Sequence, residues 1–441
     1  MIDFKLIRKE VTELLVDIIK FDTTNPPGNE RALAEFFAEK FNAEGIENKI
    51  LDSSKPERAT FWAKIPGEED VNKLLLLSHL DVVPADKSLW STDPFSGEIK
   101  DGYIYGRGAL DIKILGAMHA VIMFLIKRNN IKLKYNLIML SVADEEEGGS
   151  DGAKFVLENF PELTEAEFVL GEGGYGTLGI LPENKPLFSL STGEKGVTWV
   201  KATVEGQSGH GSMPLKESAP NNLINFLHKV ANHRFPMKFT DSMKVFLQGI
   251  GDEKGGINKF LMNNVSTLSS FNFVRGKLEE NSKLSAALQN TVSVTKINAG
   301  YKDNVIPEKA EATLDCRLVP GETVDGFLNE LKLMAKPFGV KIEPINVFNP
   351  NESTLDTQLY KIMDDVFKEE EIVMLPYIAP GFTDTRFFRI RGSVGYGIVP
   401  IVVELEELEG IHGVDERVSV DNMEFGTRIL FEIVKRFMEK I

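Results

Sequence analysis

The sequence predicts an α/β fold: a mixed, mostly parallel sheet flanked by helices, interrupted by an inserted α+β domain. Three observations carry this. Short apolar runs without helical period, Leu74-Leu75-Leu76-Leu77 and Leu137-Ile138-Met139-Leu140, alternate with amphipathic helical stretches in the first part of the chain. From about Ser191 the texture changes to two-sided alternation, as in Val197 to Val204. Past Asn349, helix, strand and helix patterns return. A continuous apolar strand is one buried on both faces, as in a parallel sheet covered by helices. Strands that alternate with helices predict such a sheet, and runs of alternating strands predict a separate antiparallel layer. A chain of 441 residues also exceeds one ordinary core. The expected division is an α/β domain of residues 1–190 and 348–441 around an insert of residues 191–347.

The elements follow in order. Residues 3–21 read as an amphipathic helix, with Ile7, Val11, Leu14, Leu15 and Ile18 at helical spacing. Thr23-Thr24-Asn25-Pro26-Pro27-Gly28-Asn29-Glu30 breaks it and opens a helix at 31–44. Strands are expected at 48–51, 60–65 and 74–78, a loop at 84–108, a helix at 112–128 and a strand at 136–142. A helix at 152–159 leads to a strand at 168–170 that stops at Gly171-Glu172-Gly173-Gly174. In the insert, a strand at 197–204, a loop at 205–214 and a helix at 220–231 are followed by 235–290, which shows no clear period. Strands at 291–297 and 310–318, a helix at 324–335 and a strand at 340–345 complete it. The last part carries a helix at 356–367, a strand at 393–398 and a helix at 422–439.

Composition narrows the function classes. A hydrophobic content of 42% and a charged content of 26% are those of a soluble globular protein. The net charge of −16 argues against nucleic acid and anionic membrane surfaces as partners. No apolar segment approaches the length of a membrane span, and the start shows no signal-peptide pattern, so a cytoplasmic location is the expectation. The one cysteine, Cys316, lies in an alternating strand and reads as a small core residue. Residues 171–179 are glycine-rich but lack the Gly-Lys-Ser/Thr of a phosphate loop, which excludes that nucleotide site.

Three successive strand ends carry chemistry: His79 and Asp81, Glu145 and Glu146, and Glu172. Ligands in open α/β sheets sit outside the carboxyl ends of strands. His79 and Asp81, two apart on extended chain, point the same way. Either one binds a metal while the other fixes a neighbour, or Asp81 holds the imidazole from behind. With Asp111 from Gly106-Arg107-Gly108-Ala109-Leu110-Asp111 and His412 from Ile411-His412-Gly413, they make a set of two imidazoles and three carboxylates. That set (His79, Asp111, Glu146, Glu172, His412) suits two divalent cations, zinc first, with cobalt or manganese as substitutes. Asp111 is the natural bridge. Glu145 and Glu146, as neighbours, point different ways, so one can be a ligand while the other waits to take a proton from metal-activated water. The blander readings are a polar strand end, a solvated Asp-Glu-Glu-Glu face, a turn glutamate and a loop histidine. His119, His228 and His233 fall on predicted helices and read as structural or surface residues.

These motifs, taken in order over nearly the whole length, resemble the dinuclear zinc amidohydrolases that include aminoacylase, carboxypeptidase G, yeast-type carboxypeptidase S, acetylornithine deacetylase and succinyl-diaminopimelate desuccinylase. The resemblance implies a zinc exopeptidase-like fold with a lid and dimerisation insert. It implies that Ser-His-Leu-Asp-Val-Val-Pro carries the ligand His79 with Asp81 orienting it. Tyr-Gly-Arg-Gly-Ala-Leu-Asp-Ile-Lys carries the bridging Asp111, and Asp-Glu-Glu-Glu-Gly-Gly carries the base Glu145 and the ligand Glu146. Glu172 and His412 complete the ligands. Ser-Gly-His-Gly-Ser-Met-Pro carries His210, which in such enzymes reaches the scissile carbonyl oxygen, often from the partner of a dimer. Asn304 and Arg317 match substrate-binding elements of the lid, with Arg317 pairing a substrate carboxylate. Gly381-Phe382-Thr383-Asp384-Thr385-Arg386 resembles the Gly-Thr-Asp-x-Arg pocket loop, though Phe382 separates its glycine from its threonine. Residues 235–290 lengthen the lid and favour the carboxypeptidase S-like branch.

The expectation is an enzyme that hydrolyses the amide bond of N-acyl amino acids or short peptides with a free carboxylate, using a metal-bridging water activated by Glu145. The rivals are a dipeptidase or aminopeptidase of the same family, and a relative that binds peptide or metal without turnover. The latter would show a lost base or ligand, and none is lost here.

Overall fold

The structure, a computed structural model, describes residues 3–439. Its strands include, in chain order, β1 (Glu47–Asp52), β2 (Ala59–Ile65), β3 (Glu69–His79), β4 (Tyr135–Val142), β5 (Phe168–Thr177) and β6 (Leu187–Glu194). There follow β7 (Gly196–Glu205), β8 (Thr291–Ala299), β9 (Lys309–Leu318), β10 (Lys341–Phe348), β11 (Val373–Ala379) and β12 (Val394–Val403). The chain forms two compact units. One holds the residues up to Thr192, Ser353–Tyr377 and the chain from Thr383 on. The other holds Gly193–Glu352 with Ile378–Phe382.

The first unit is the α/β layer. Its sheet runs β1-β2-β4-β3-β5-β12-β6, with β11 also paired to β6. The four central strands are mutually parallel, and the pairings β1–β2, β2–β4 and β12–β6 are antiparallel. The two-residue period of a strand sorts the Leu74–Leu77 run onto two different cores. Leu74 and Leu76 join Leu137 and Met139 beneath the helices Phe4–Ile19, Lys113–Arg128 and Val420–Met438. Leu75 and Leu77 join Ile138 and Leu140 on the other face, with Val156, Leu157 and Phe388 from the helices Ala153–Asn159 and Thr385–Ile390. Each fully buried leucine contributes about 1.5–3 kcal/mol, and a run buried on both faces contributes at every position. The Leu74↔Leu137 to His79↔Val142 register therefore aligns the carboxyl ends of β3 and β4.

β5 differs from the sequence expectation. It continues as a strand past Glu172 to Thr177 instead of stopping at the glycines. The glycines are there because neighbouring backbone comes close. A Cβ on Gly174 would lie 2.3 Å from the Gly397 carbonyl oxygen of β12 and 2.6 Å from that of Ser189 on β6.

The second unit holds a four-stranded antiparallel sheet in the order β8-β9-β7-β10. On β9, buried Ala310, Ala312, Leu314, Cys316 and Leu318 alternate with partly exposed residues. The buried side packs on the helices Ala219–Ala231 and Val324–Ala335. The segment without clear period folds into short helices: Asp241–Lys254, Gly256–Asn263, Val265–Leu268, Asn272–Glu280 and Ser282–Leu288. Most are too short to display several turns of one apolar face. The unit reaches past residue 347 to Glu352 because Asn351 and Glu352 pair with Glu194 and Gly193. Among the described residues, no helix is long and apolar enough to cross a membrane.

Candidate metal centre

Parallel β3, β4 and β5 bring three acidic or imidazole groups to one edge of the first unit. His79, the last residue of β3, is buried. Its Nδ1 faces the main-chain carbonyl of Asp81 at 2.9 Å, so Nδ1 carries a proton and Nε2 is turned toward the acids. Nε2 lies 3.2 Å from Asp111 Oδ1 and 3.7 Å from Glu172 Oε2.

Asp81 thus works differently from the expected side-chain contact. Its carbonyl holds the imidazole, while its carboxylate stays 3.6 Å from Nδ1. Instead the carboxylate accepts the N–H groups of Glu145 and Glu146, each at 3.1 Å, and Asn25 Nδ2 at 2.8 Å. It fixes the turn Glu145–Glu147, which follows Asp144 in a left-handed conformation. Arg58 braces the same turn through Asp144 and Asn25.

On that turn Glu145 and Glu146 diverge. Glu146 Oε2 reaches His412 Nε2 at 3.2 Å. Burial pushes the Glu145 carboxyl well above the usual carboxylate range, and Glu172 adds to it. Burial also lifts Glu172 to about 7. Asp111 faces both imidazoles, with Oδ1 toward His79 and Oδ2 3.0 Å from His412 Nε2. Burial disfavours its charge, yet its contacts with His412 and His79 outweigh this and hold it below the usual range. His412 is half-exposed on a loop at φ 59°, and its contacts with Asp111 and Glu146 lift it to about 10. Burial lowers His79, but Glu172 and Asp111 more than compensate and leave it raised.

The side chains fit a divalent cation. Nitrogen and oxygen donors converge in two groups, His79 with Glu145 and Glu172, and His79 with Asp111 and Glu146, each within 4.8 Å. Oε1 of Glu146 is buried without a hydrogen-bond partner, as are both oxygens of Asp384. Such orphaned carboxylate oxygens and acids with raised pKa are what a bound cation would satisfy. The donors are imidazole and carboxylate, which suits zinc, cobalt or manganese.

His210, Asn304, Arg317 and Gly381 lie in the second unit. His210 pairs on a two-residue strand with Val305, and Gly211 N–H donates to the Asn304 carbonyl at 2.8 Å. Ser212 N–H donates to His210 Nδ1 at 3.2 Å, so the ring proton is on Nε2. Arg317 grips Asp315 through Nε at 2.7 Å and Nη2 at 3.0 Å. A Cβ on Gly381 would meet nothing within 4 Å. Thr383, in the first unit, is buried, and its carbonyl accepts Arg386 N–H at 3.2 Å. Cys316 is buried, and burial pushes its thiol up to about 12. His119 lies wholly in the apolar core, and His233 pairs with Glu330 at 3.0 Å.

Sequence reasoning missed Asn25, Arg58 and Asp144 as braces, and Glu416. Asp384 was noticed only as a pocket-loop residue. It lines one small cavity with His79, Glu145 and Glu172, and burial lifts it to about 8. The apolar strand–acidic turn junction at Val142 to Glu147 was the one signal that could have led to Asp144.

The profile of Peptidase family M20/M25/M40 matches residues 75–436. A protein named N-fatty-acyl-amino acid synthase/hydrolase PM20D1, from Xenopus tropicalis, is 29% identical over 97% of this chain and 86% of its own length. Probable carboxypeptidase S-like 2 from Dictyostelium discoideum is 30% identical over 83% of this chain and 72% of its own length. Among solved structures, the M20 family metallo-carboxypeptidase Sso-CP2 from Sulfolobus solfataricus superposes with a TM-score of 0.73 at 19% identity. It covers 97% of this chain and 98% of its own, a likeness that shows the fold.

Proposed function

The chain belongs to Peptidase family M20/M25/M40, a family of metal-dependent hydrolases, and within it we propose a hydrolase of the amide bond in N-acyl amino acids or short peptides with a free carboxylate. The observation that carries the proposal is the split of Asp111, one oxygen toward each imidazole, beside a separately braced Glu145. His79, Asp111, Glu146, Glu172 and His412 would hold two zinc ions, or cobalt or manganese in their place. When bound, such a pair supplies Lewis acidity and makes water acidic enough to lose a proton near neutral pH. Glu145, held by Asp81 and raised by burial, takes that proton and returns it to the departing amine.

In the proposal His210 Nε2–H donates to the developing oxyanion, a role its tautomer supports. Arg317 reads the substrate carboxylate. Its bond to Asp315 uses Nε and Nη2 and leaves Nη1 for that contact. Asn304, Gly381 and Thr383 are proposed to line the substrate site. The names of the PM20D1 and carboxypeptidase S-like relatives support an acyl amino acid or peptide substrate. The proposal keeps a homodimer formed through the second unit and a cytoplasmic location, tested by light scattering and cell fractionation.

The experiment is amino acid release from N-acetyl, N-succinyl and longer N-acyl amino acids beside unblocked dipeptides, with zinc, cobalt or manganese added. Release from the blocked substrates is expected, and release from unblocked dipeptides alone would overturn it in favour of a dipeptidase. Glu145→Ala should lower turnover by about 10²–10⁴ while metal still binds. Turnover close to wild type would remove Glu145 from its role.

A further inference from the structure

Glu416 is fully buried, and its carboxylate accepts four hydrogen bonds. Oε2 takes Arg107 Nη1 at 2.7 Å and Gly108 N–H at 3.0 Å. Oε1 takes Leu110 N–H at 2.7 Å and Asp111 N–H at 3.0 Å. Arg107, itself buried beneath the Trp90 ring, donates onward through Nη2 to the carbonyls of His412 at 3.3 Å and Gly413 at 2.9 Å. The Gly106 N–H adds a bond to the Glu416 carbonyl at 2.9 Å. Two loops more than 300 residues apart in sequence are thereby tied at one point.

We propose that Glu416 and Arg107 form a clamp that sets the separation of Asp111 and His412, and through it the affinity of the centre for a divalent cation. Both are positioning residues, and the inference rests on the metal reading of the centre given above. The need for a clamp follows from where the ligands sit. His79 ends β3, where it pairs with Val142 of β4, and Glu172 lies inside β5. Asp111 and His412 are on loops: one follows Gly108 at φ 88°, and the other is itself at φ 59° and half-exposed. Their own side chains touch only through Asp111 Oδ2 and His412 Nε2, a contact that a cation between them would replace. What remains to hold the pair in place is the main chain, and the clamp grips it on both loops. Groups that orient ligands in this way are typically worth about 10–100-fold in metal affinity.

Glu416→Gln removes the charge facing Arg107 and turns an NH₂ toward peptide N–H donors. Arg107→Lys keeps the charge, but a single amine cannot span Glu416 and two carbonyls. The test is zinc affinity of the full chain by chelator competition, alongside thermal melting in chelator. Met363→Ala, a core truncation elsewhere in the same unit, serves as the stability-matched control. The expected result is about a 10–100-fold loss of affinity in either clamp variant, non-additive in the double variant, with the control binding as wild type. Wild-type affinity in both clamp variants would overturn the clamp, as would an equal loss in Met363→Ala. A wild-type chain that binds no divalent metal would overturn the metal reading itself, an outcome separate from failure of the clamp.

Discussion

Asp81→Asn probes the least expected part of the site with almost no change of shape. Both oxygens of the Asp81 carboxylate receive a peptide N–H, Oδ1 that of Glu145 and Oδ2 that of Glu146, each at 3.1 Å. Oδ2 also takes Asn25 Nδ2 at 2.8 Å. Asn25 cannot turn its amide round to help, because its Oδ1 already accepts Arg58 Nη2 at 2.5 Å. An asparagine at this position must therefore set its own NH₂ against at least one N–H. The cheaper rotamer keeps both bonds to Oδ2 and abandons the N–H of Glu145. Asp81 is 0% exposed, so no bulk water compensates. A buried donor left unpaired costs about 1–3 kcal/mol, and the lost bond was to a charged acceptor, which places the cost in the upper half. Urea unfolding should show that loss. Turnover on the best substrate of the panel should fall further, by about 10²-fold, because the group set adrift is Glu145 itself and a displacement of about 1 Å suffices. A variant within about 0.5 kcal/mol of wild type and turning over at the wild-type rate would refute the claim that this carboxylate holds the turn.

Two further perturbations test the fold beneath the site. His119 is wholly buried in apolar surroundings, and burial lowers its pKa to about 3. A base with a depressed folded pKa gives stability that is present above its unfolded value near 6.5 and lost as pH falls, so lowering the pH from 7.5 to 5 should cost about 2 kcal/mol through this residue. His119→Leu should flatten that part of the urea-unfolding profile, and an unchanged slope would contradict the assignment. Gly174→Ala places a methyl 2.3 Å from the Gly397 carbonyl oxygen, a backbone atom that cannot rotate away. Overpacking should cost about 1–3 kcal/mol and disturb Glu172 two residues earlier, and a wild-type denaturation midpoint would show that the strands can part freely.

The layered α/β plan was legible because its strands are long in leucine and short in everything else. Leu74–Leu77 has only one way to bury every side chain, and that way demands helices on both faces. β5 was legible only to Leu170, because glycine in a strand looks like a turn until the neighbouring carbonyls that require it are seen. The helices between Asp241 and Leu288 were not legible for a different reason. Gly255 parts the first two helices, and a period of 3.6 residues cannot be counted in a helix as short as Val265–Leu268.

In the site, the side chains pointing inward were legible and most of those holding them were not. A ligand announces itself by chemistry at a strand end. A brace such as Arg58 or Glu416 is an ordinary charged residue whose meaning lies in a partner far along the chain, 86 residues away for Arg58 and Asp144. Asp81 shows the finer limit, since the sequence names a residue but not the atom that works. Its carbonyl orients His79 and its carboxylate anchors Glu145, so in the proposed mechanism one residue serves both the metal side and the base side through different atoms. Substitution of the side chain leaves the carbonyl in place. Asp81→Asn should therefore keep zinc affinity while losing turnover, whereas Glu416→Gln should lose affinity first. Measured side by side, the two variants separate the holding of the metal from the holding of the base. A parallel loss of affinity in both would mean that the turn at Glu145 and the loops at Asp111 and His412 move as one body.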